Sequence, residues 1–564
     1  MIPTPMATGP DVEIPAPHFE TRVDSLIRTL TLREKVGQLI IPWLSGSYTS
    51  FDSEAFERAR RWVDSTRVGG IIVSVGSPLD IASKLNRLQE TSELPLLVAA
   101  DLEWGSGMRL LGGTEFPMAM ALGATDRELD AYEMGRVTAI EARAVGIHLT
   151  FSPVADLNSN PENPIINTRS HGEDPKAVSK LISAYIRGAS EHGLFTTAKH
   201  FPGHGDTGTD SHIDVPVLDA CWDRLDSLEL VPFRSAIAAG VTAVMTAHIA
   251  LPCFHEQENL PATLSPVLMT EILRDSLGFE GLVFTDALIM GAIVNEYGSG
   301  ESAVRAFEAG SDLLLIPSNI PEAVNAMVAA VESGRITQAR LDSSVARMLA
   351  LKETAQLFDR RTVDLNAVPE TVGNSEFQDI ADDIAARALT LVQPGQIDSF
   401  RSQTGRTALI TYAEETNLTL GQVLSERLRI RGDTVNPFRL YPSSGPMSYD
   451  SARTIISNNP RVVFASSVRF IAWRGHIALP DSLAALVLET SANKPTVLAS
   501  LGSPYLMNQL PGYEGAYLIA WSAVTATERA VADALTGRIE ITGRLPIRLG
   551  PEYPRGHGHI IRSP

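Results

Sequence analysis

Eight short apolar runs, at residues 37–41, 70–75, 96–100, 148–151, 196–199, 243–246, 282–285 and 313–316, constrain this chain more than any other feature. Each is of strand length, and none shows the clean alternation of a half-exposed strand. The segments between them, such as 128–145, 177–191, 225–239 and 300–309, carry helical periodicity. Alternating buried strands and helices predict a parallel sheet covered by helices. Eight such units in about 300 residues fit a closed (β/α)8 TIM-like barrel, with an open doubly wound sheet as the competing arrangement.

The chain has 564 residues, more than one hydrophobic core accommodates. Residues 1–20 are Pro-rich and read as an extended lead-in. Thr21 opens a helical pattern, and Thr31-Leu32-Arg33-Glu34 has the form of a capping box. The barrel is expected over 21–358, and 359–395 reads as a linker with a connecting helix at 379–389. A smaller α/β sandwich is expected over 396–564, on strand-like runs at 407–411, 462–465, 497–500 and 516–519.

A formal net charge of −19 argues against a nucleic-acid or membrane-surface partner, because such a field repels phosphates. No run is long and apolar enough to span a bilayer. The first residues have neither a basic stretch nor an apolar core, so a cytoplasmic location is expected, though an exported form whose signal has been removed would read the same. Two cysteines, Cys221 and Cys253, could form one disulfide, and no Cys/His spacing suggests a structural metal.

The densest chemical signal is Lys199-His200-Phe201-Pro202-Gly203-His204-Gly205-Asp206-Thr207-Gly208-Thr209-Asp210-Ser211-His212. It follows a strand, and its Pro and Gly residues prevent a helix, so these titratable groups fall on a loop at the expected barrel mouth. A polar surface loop is the bland reading. Zinc ligation by His200, His204 and His212 is another, but His-x3-His puts both rings on one face only in a helix, which Pro-Gly breaks. In Asp210-Ser211-His212 the carboxylate can accept a hydrogen bond from one ring nitrogen, leaving the other free to move a proton. A second signal, Leu282-Val283-Phe284-Thr285-Asp286-Ala287, ends an apolar strand in a carboxylate. Asp286 there suits either nucleophilic attack or a helix N-cap. Asp101, Lys199 with His200, His248 and Asp286 all follow strands, as residues of a barrel's catalytic face do.

Together these segments resemble glycoside hydrolase family 3, in its β-N-acetylglucosaminidase branch, which takes its acid/base from an Asp-His pair on a mobile barrel loop and not from a Glu elsewhere. The resemblance implies Asp286 as nucleophile, His212 as general acid/base and Asp210 as its partner. It also implies Asp101, Arg109, Arg169, Lys199 and His200 as sugar-binding residues, with Trp104 where the family's turn carries Gly. Gly502-Ser503-Pro504-Tyr505, Ala520-Trp521 and Gly543-Arg544-Leu545-Pro546 resemble the family's second domain. The implied activity is retaining, exo-acting release of terminal β-linked GlcNAc from a small carbohydrate, with no cofactor and no metal, by a monomer or homodimer. A phosphorylase or β-glucosidase of the same family, or a non-catalytic carbohydrate-binding protein, are the alternatives.

Overall fold

A computed structural model describes residues 21–562, apart from His212, residues 256–258 and residues 471–476. The expected lead-in over 1–20 lies outside the described residues.

The described residues begin with two capped helices. Thr21 and Thr31 each accept a hydrogen bond from the backbone N–H three residues on, and Asp24 and Glu34 return the bond to the cap N–H. The second helix, Leu32–Gly37, covers the start of the first predicted strand, which therefore begins only at Ile40. Pro42, having no N–H to donate, divides that strand into β1 (Ile40–Ile41) and β2 (Trp43–Leu44).

The next strands are β3 (Gly70–Val73), β4 (Leu97–Ala100), β5 (Leu149–Thr150), β6 (Phe195–Phe201), β7 (Ala243–Thr246), β8 (Leu282–Phe284) and β9 (Leu314–Leu315). From β2 to β8 they pair in sequence order, every pair parallel. β9 closes the ring: it pairs in parallel with β1, and Leu313 just before it bridges to Phe284 of β8. The result is the expected barrel, with β1 and β2 acting as one stave. Helices such as Pro78–Thr91, Glu128–Ala144, Pro175–Ser190 and Gly291–Ala309 return the chain between strands. Ile71, Val98, Leu149, Ala243 and Phe284 belong to the buried core, which is why these runs read as continuously apolar.

The second sheet contains β10 (Thr390–Gln393), β11 (Arg406–Tyr412), β12 (Thr434–Leu440), β13 (Arg461–Ser466), β14 (Thr496–Ser500) and β15 (Ala516–Ile519). Its spatial order is β10-β15-β14-β13-β11-β12, parallel except for the β10 edge. Four of these strands match the predicted runs. β10 falls inside the stretch read as connector, where a four-residue strand directly follows the helix Ser375–Ala388. β12 also escapes the sequence reading: it contains Pro437, and only two of its seven residues are buried. Both features are compatible only with an edge strand, the place β12 occupies.

The two domains are joined by polar contacts, the first of them buried. Asn158 Nδ2 donates to Tyr505 Oη at 2.7 Å, Arg387 pairs with Asp130 at 2.9 Å, and the Arg544 N–H donates to Ala124 O at 3.0 Å. Gly123 permits this approach, since a Cβ there would lie 1.9 Å from His171 O and 2.8 Å from Pro546.

Two features of the barrel yield stability predictions. Cys221, after β6, is disulfide-bonded to Cys253, after β7, across a separation of 32 residues. Loop-closure entropy predicts that Cys221→Ser with Cys253→Ser costs about 3–4 kcal/mol, to be read from denaturant melts of variant and parent. At the opposite end of the barrel, Lys352 is fully buried and donates to Gln38 Oε1 at 2.6 Å. Burial pushes its ammonium down to about 7. An unfolded chain holds that proton up to about pH 10, so unfolding takes up a proton between these values and stability rises with pH across them. Lys352→Met is expected to raise the melting temperature most at pH 7 and below, with the gain shrinking towards pH 10.

Candidate active site

The C-terminal ends of the barrel strands surround a pocket of about 300 Å³. Its floor consists of Ile72, Phe151, Met245 and Leu315, the inward side chains that fill the barrel. This is a blind pocket, of a size that admits the terminal residue of a chain.

The polar wall is a compensated charge cluster. Asp101 follows β4 directly, and Glu103, two residues on, is brought to the same wall. Lys199, near the end of β6, places its ammonium between them, 2.9 Å from Asp101 Oδ1 and 2.7 Å from Glu103 Oε1. Arg109 donates to the other oxygen of Asp101 at 3.0 Å. Arg169 holds Glu103 in a two-point fork, at 2.9 and 2.8 Å, and donates to Ile165 O at 3.1 Å.

Burial alone would raise the pKa of both carboxylates. The Lys199 and Arg109 charges hold Asp101 below its ordinary value, and Arg169 and Lys199 hold Glu103 well below its own. Burial likewise opposes charge on Lys199, but Asp101 and Glu103 hold its pKa above the usual value. All these groups are ionised at neutral pH.

His200 Nδ1 lies 2.7 Å from Asp156 Oδ2, and its Nε2 lies 3.3 Å from Arg169 Nη2. The guanidinium can only donate, so Nε2 accepts and Nδ1–H donates to Asp156. Asp156 also receives the backbone N–H of His204 at 2.7 Å. His204 itself sits between Thr207 Oγ1, at 2.7 Å from Nδ1, and Ser211 Oγ, at 3.1 Å from Nε2. Burial pushes it down to about 4, so it is neutral where the enzyme would work.

Asp286 lies two residues beyond β8. The helix that follows starts at Gly291 with Met290 as its cap, so Asp286 is not an N-cap. Its Oδ1 instead accepts from the Ala287 N–H at 2.7 Å, which turns the carboxyl group at the strand end, and the residue lines the pocket. His248 is held by Thr263 Oγ1 at 2.7 Å, and its Nε2 lies 3.2 Å from Ala287 O, beneath that turn.

Of the residues implied by the sequence, Asp101, Arg109, Arg169, Lys199, His200 and Asp286 all line this one pocket. Asp210 is buried in the loop after β6, and its neighbour Ser211 reaches the pocket. His212 lies outside the described residues. Trp104 lines the pocket wall. Sequence reasoning missed Glu103, although its spacing from Asp101 at a strand end was a usable signal. It also missed Asp156, which no motif marks, and Arg469 with Phe470, which reach the pocket from the second sheet.

Residues 31–351 match the glycosyl hydrolase family 3 N-terminal domain. A β-N-acetylglucosaminidase/β-glucosidase of Cellulomonas fimi is 30% identical over 535 residues, covering 91% of this chain and 93% of that protein. Among solved structures, a family 3 β-N-acetylglucosaminidase from Paenibacillus sp. str. FPU-7 superposes with a TM-score of 0.84 at 35% identity, covering 92% of this chain and 99% of that one. The β-glucoside phosphorylase BglX in complex with 2FGlc also superposes with a TM-score of 0.84, at 28% identity, over 93% of this chain and 96% of its own. With the domain match spanning more than half of its length and a relative aligned nearly end to end, the chain belongs to glycoside hydrolase family 3.

Proposed function

We propose that the protein is a retaining, exo-acting β-N-acetylglucosaminidase that releases terminal GlcNAc. The observation that carries this reading is the placement of the Asp286 carboxyl group in a blind pocket whose opposite wall is the Asp101–Lys199–Glu103–Arg169 cluster. Such a wall offers ammonium and guanidinium donors beside carboxylate acceptors, the set that matches vicinal sugar hydroxyls. The names of the Cellulomonas and Paenibacillus relatives support the N-acetyl preference.

In the proposed mechanism the cluster orients the terminal sugar, and Asp286 attacks its anomeric carbon to form a glycosyl ester. His212, as imidazolium, protonates the departing glycosidic oxygen. Water then attacks the anomeric carbon from the face the leaving group vacated, neutral His212 takes its proton, the Asp286 carboxylate departs, and the configuration is retained. Positive charge on the ring in the transition state is stabilised by Asp101 and Glu103, which are already ionised and ordered. The role of His212 rests on the Asp210-Ser211-His212 pattern. His204 does not suit it, since burial keeps that ring neutral where an acid must be charged.

A second reading is favoured by the phosphorylase neighbour. A neutral histidine base does not repel an incoming anion, so phosphate can take the place of water at the second step. Chromogenic β-GlcNAc and β-glucose substrates, assayed with and without phosphate and with the anomer identified by NMR, separate these activities. GlcNAc released in the β-configuration, at a rate independent of phosphate, is the expected result. A sugar phosphate as the main product would replace hydrolysis by phosphorolysis.

Two substitutions test the assignments. Asp286→Ala is expected to lower kcat by about 10⁴-fold or more and to abolish the covalent sugar adduct seen by intact-mass spectrometry. His212→Ala is expected to lower turnover about 10²–10⁴-fold on alkyl or sugar glycosides, and far less when the leaving group is an acidic nitrophenol. Equal losses on both substrate kinds would remove His212 from the acid role.

A further inference from the structure

Part of the pocket wall is carried by a loop and not by a strand. Asp101 follows β4 directly, but Glu103, Trp104, Met108 and Arg109 reach the pocket from the stretch beyond it. That stretch doubles back on itself. The Gly107 N–H donates to Thr114 O at 3.0 Å, and the Phe116 N–H donates to Trp104 O at 3.0 Å. Between these arms, Ser106 O accepts from the N–H groups of Arg109, at 2.9 Å, and Leu110, at 2.8 Å. A loop with so few bonds of its own needs support from behind to present its side chains in one arrangement.

The support is Glu141, a fully buried residue of the helix Glu128–Ala144. Val137, Thr138 and Met134 precede it on the same buried face, so a carboxylate there departs from the pattern of its helix. Its two oxygens hold both arms of the loop. Oε2 accepts from the Ser106 hydroxyl, and from the Thr114 N–H at 3.0 Å. Oε1 accepts from Thr114 Oγ1 at 2.8 Å and from the Gly373 N–H at 2.8 Å. Among the described residues Glu141 forms no ion pair, so these four donors do the work of the water it has lost. Gly373 lies in the connector between the domains, just before the helix Ser375–Ala388. Its φ is +76°, and a Cβ there would lie 2.3 Å from Gly112 O of the loop.

We propose that Glu141 is a positioning residue of the sugar-binding wall. It fixes the loop of Glu103 and Arg109 to the helix behind it, and through the Gly373 N–H it ties that loop to the connector. The inference deepens the proposed glycosidase reading, on which the sugar-binding role of this wall rests. Asp286 and Asp210 lie beyond β8 and β6, so loss of the clamp loosens the wall and leaves the reacting groups where they are. Glu141→Gln keeps the size of the side chain. Whichever way the amide turns, its NH2 group faces a backbone N–H that can only donate.

Steady-state kinetics on a chromogenic β-GlcNAc substrate, with calorimetric titration of GlcNAc into the Asp286→Ala protein, tests this. Glu141→Gln is expected to raise KM and to weaken GlcNAc binding, each about 10-fold or more, with kcat changed less than about threefold. Ser106→Ala removes one donor and no charge, and is expected to shift KM the same way by less. The double variant is expected to lose less than the two single losses combined, because both act through one bond. Damage to folding alone has another signature: fewer intact sites lower kcat and leave KM as it was. That signature, or an unchanged KM in both variants, would overturn the assignment. If Glu141→Gln does not fold, the KM of Ser106→Ala decides alone. A parent protein that binds GlcNAc but cleaves no β-GlcNAc substrate, with binding weakened by Glu141→Gln, would instead defeat the proposed activity and leave the positioning role standing.

Discussion

The structure of the site depends on a lysine buried between two carboxylates. Taking an ammonium group out of water costs several kcal/mol unless opposite charge is already in place. Asp101 and Glu103 supply that charge to Lys199, and they are kept ionised in turn by Arg109 and Arg169. No member is independent of the rest: deleting one takes an opposite charge away from at least one of its neighbours. The cluster is therefore formed when the barrel closes, since β4 brings the carboxylates and β6 the ammonium. The substrate meets donors and acceptors that are already ordered, so binding does not have to supply the energy of arranging them.

The histidines after β6 illustrate how neighbours divide the work of similar side chains. His200 is oriented from behind by Asp156 and from the front by Arg169, whose donor leaves Nε2 only an acceptor's part. His204 is placed between two hydroxyls in a site where burial disfavours the imidazolium. A proton-transferring histidine needs a carboxylate on one ring nitrogen and a reacting oxygen at the other: His204 has hydroxyls on both, and His200 has its carboxylate in Asp156 but faces the Arg169 guanidinium with the other nitrogen. Asp210-Ser211-His212 alone in this loop has a sequence form suited to it.

Much of the barrel is legible in the sequence because its strands are buried on both faces and its helices between them are amphipathic. The eight runs correspond to the eight staves, with an error of a few residues at the first, where the capped helix at Leu32–Gly37 overruns the predicted strand. The second sheet is legible in its interior and not at its edges. β12 carries Pro437 and polar residues because a strand with one free side needs no full set of donors, and β10 is too short to show a period. The site follows a similar rule. Residues inside contiguous motifs, such as Lys199, His200 and Asp286, stand out on their own. Asp156 and Glu103 become meaningful only when Lys199, His200 and Arg169 are brought beside them in space. Phe470 is some 300 residues from Arg169 in the chain, a separation that no local pattern spans.

Two parallel sheets that open towards one another also separate two evolutionary tasks. The barrel end holds the Asp286 carboxylate and the cluster of Asp101, Glu103, Lys199, Arg109 and Arg169, whose members are ion-paired with one another. Phe470, just beyond β13, belongs to a different core, and its ring lies over the Arg169 guanidinium. Substitution of Arg469 changes no buried contact of the barrel. The rim of the pocket can therefore vary on the second sheet while the charge cluster of the barrel stays as it is, a division that neither sheet alone would provide.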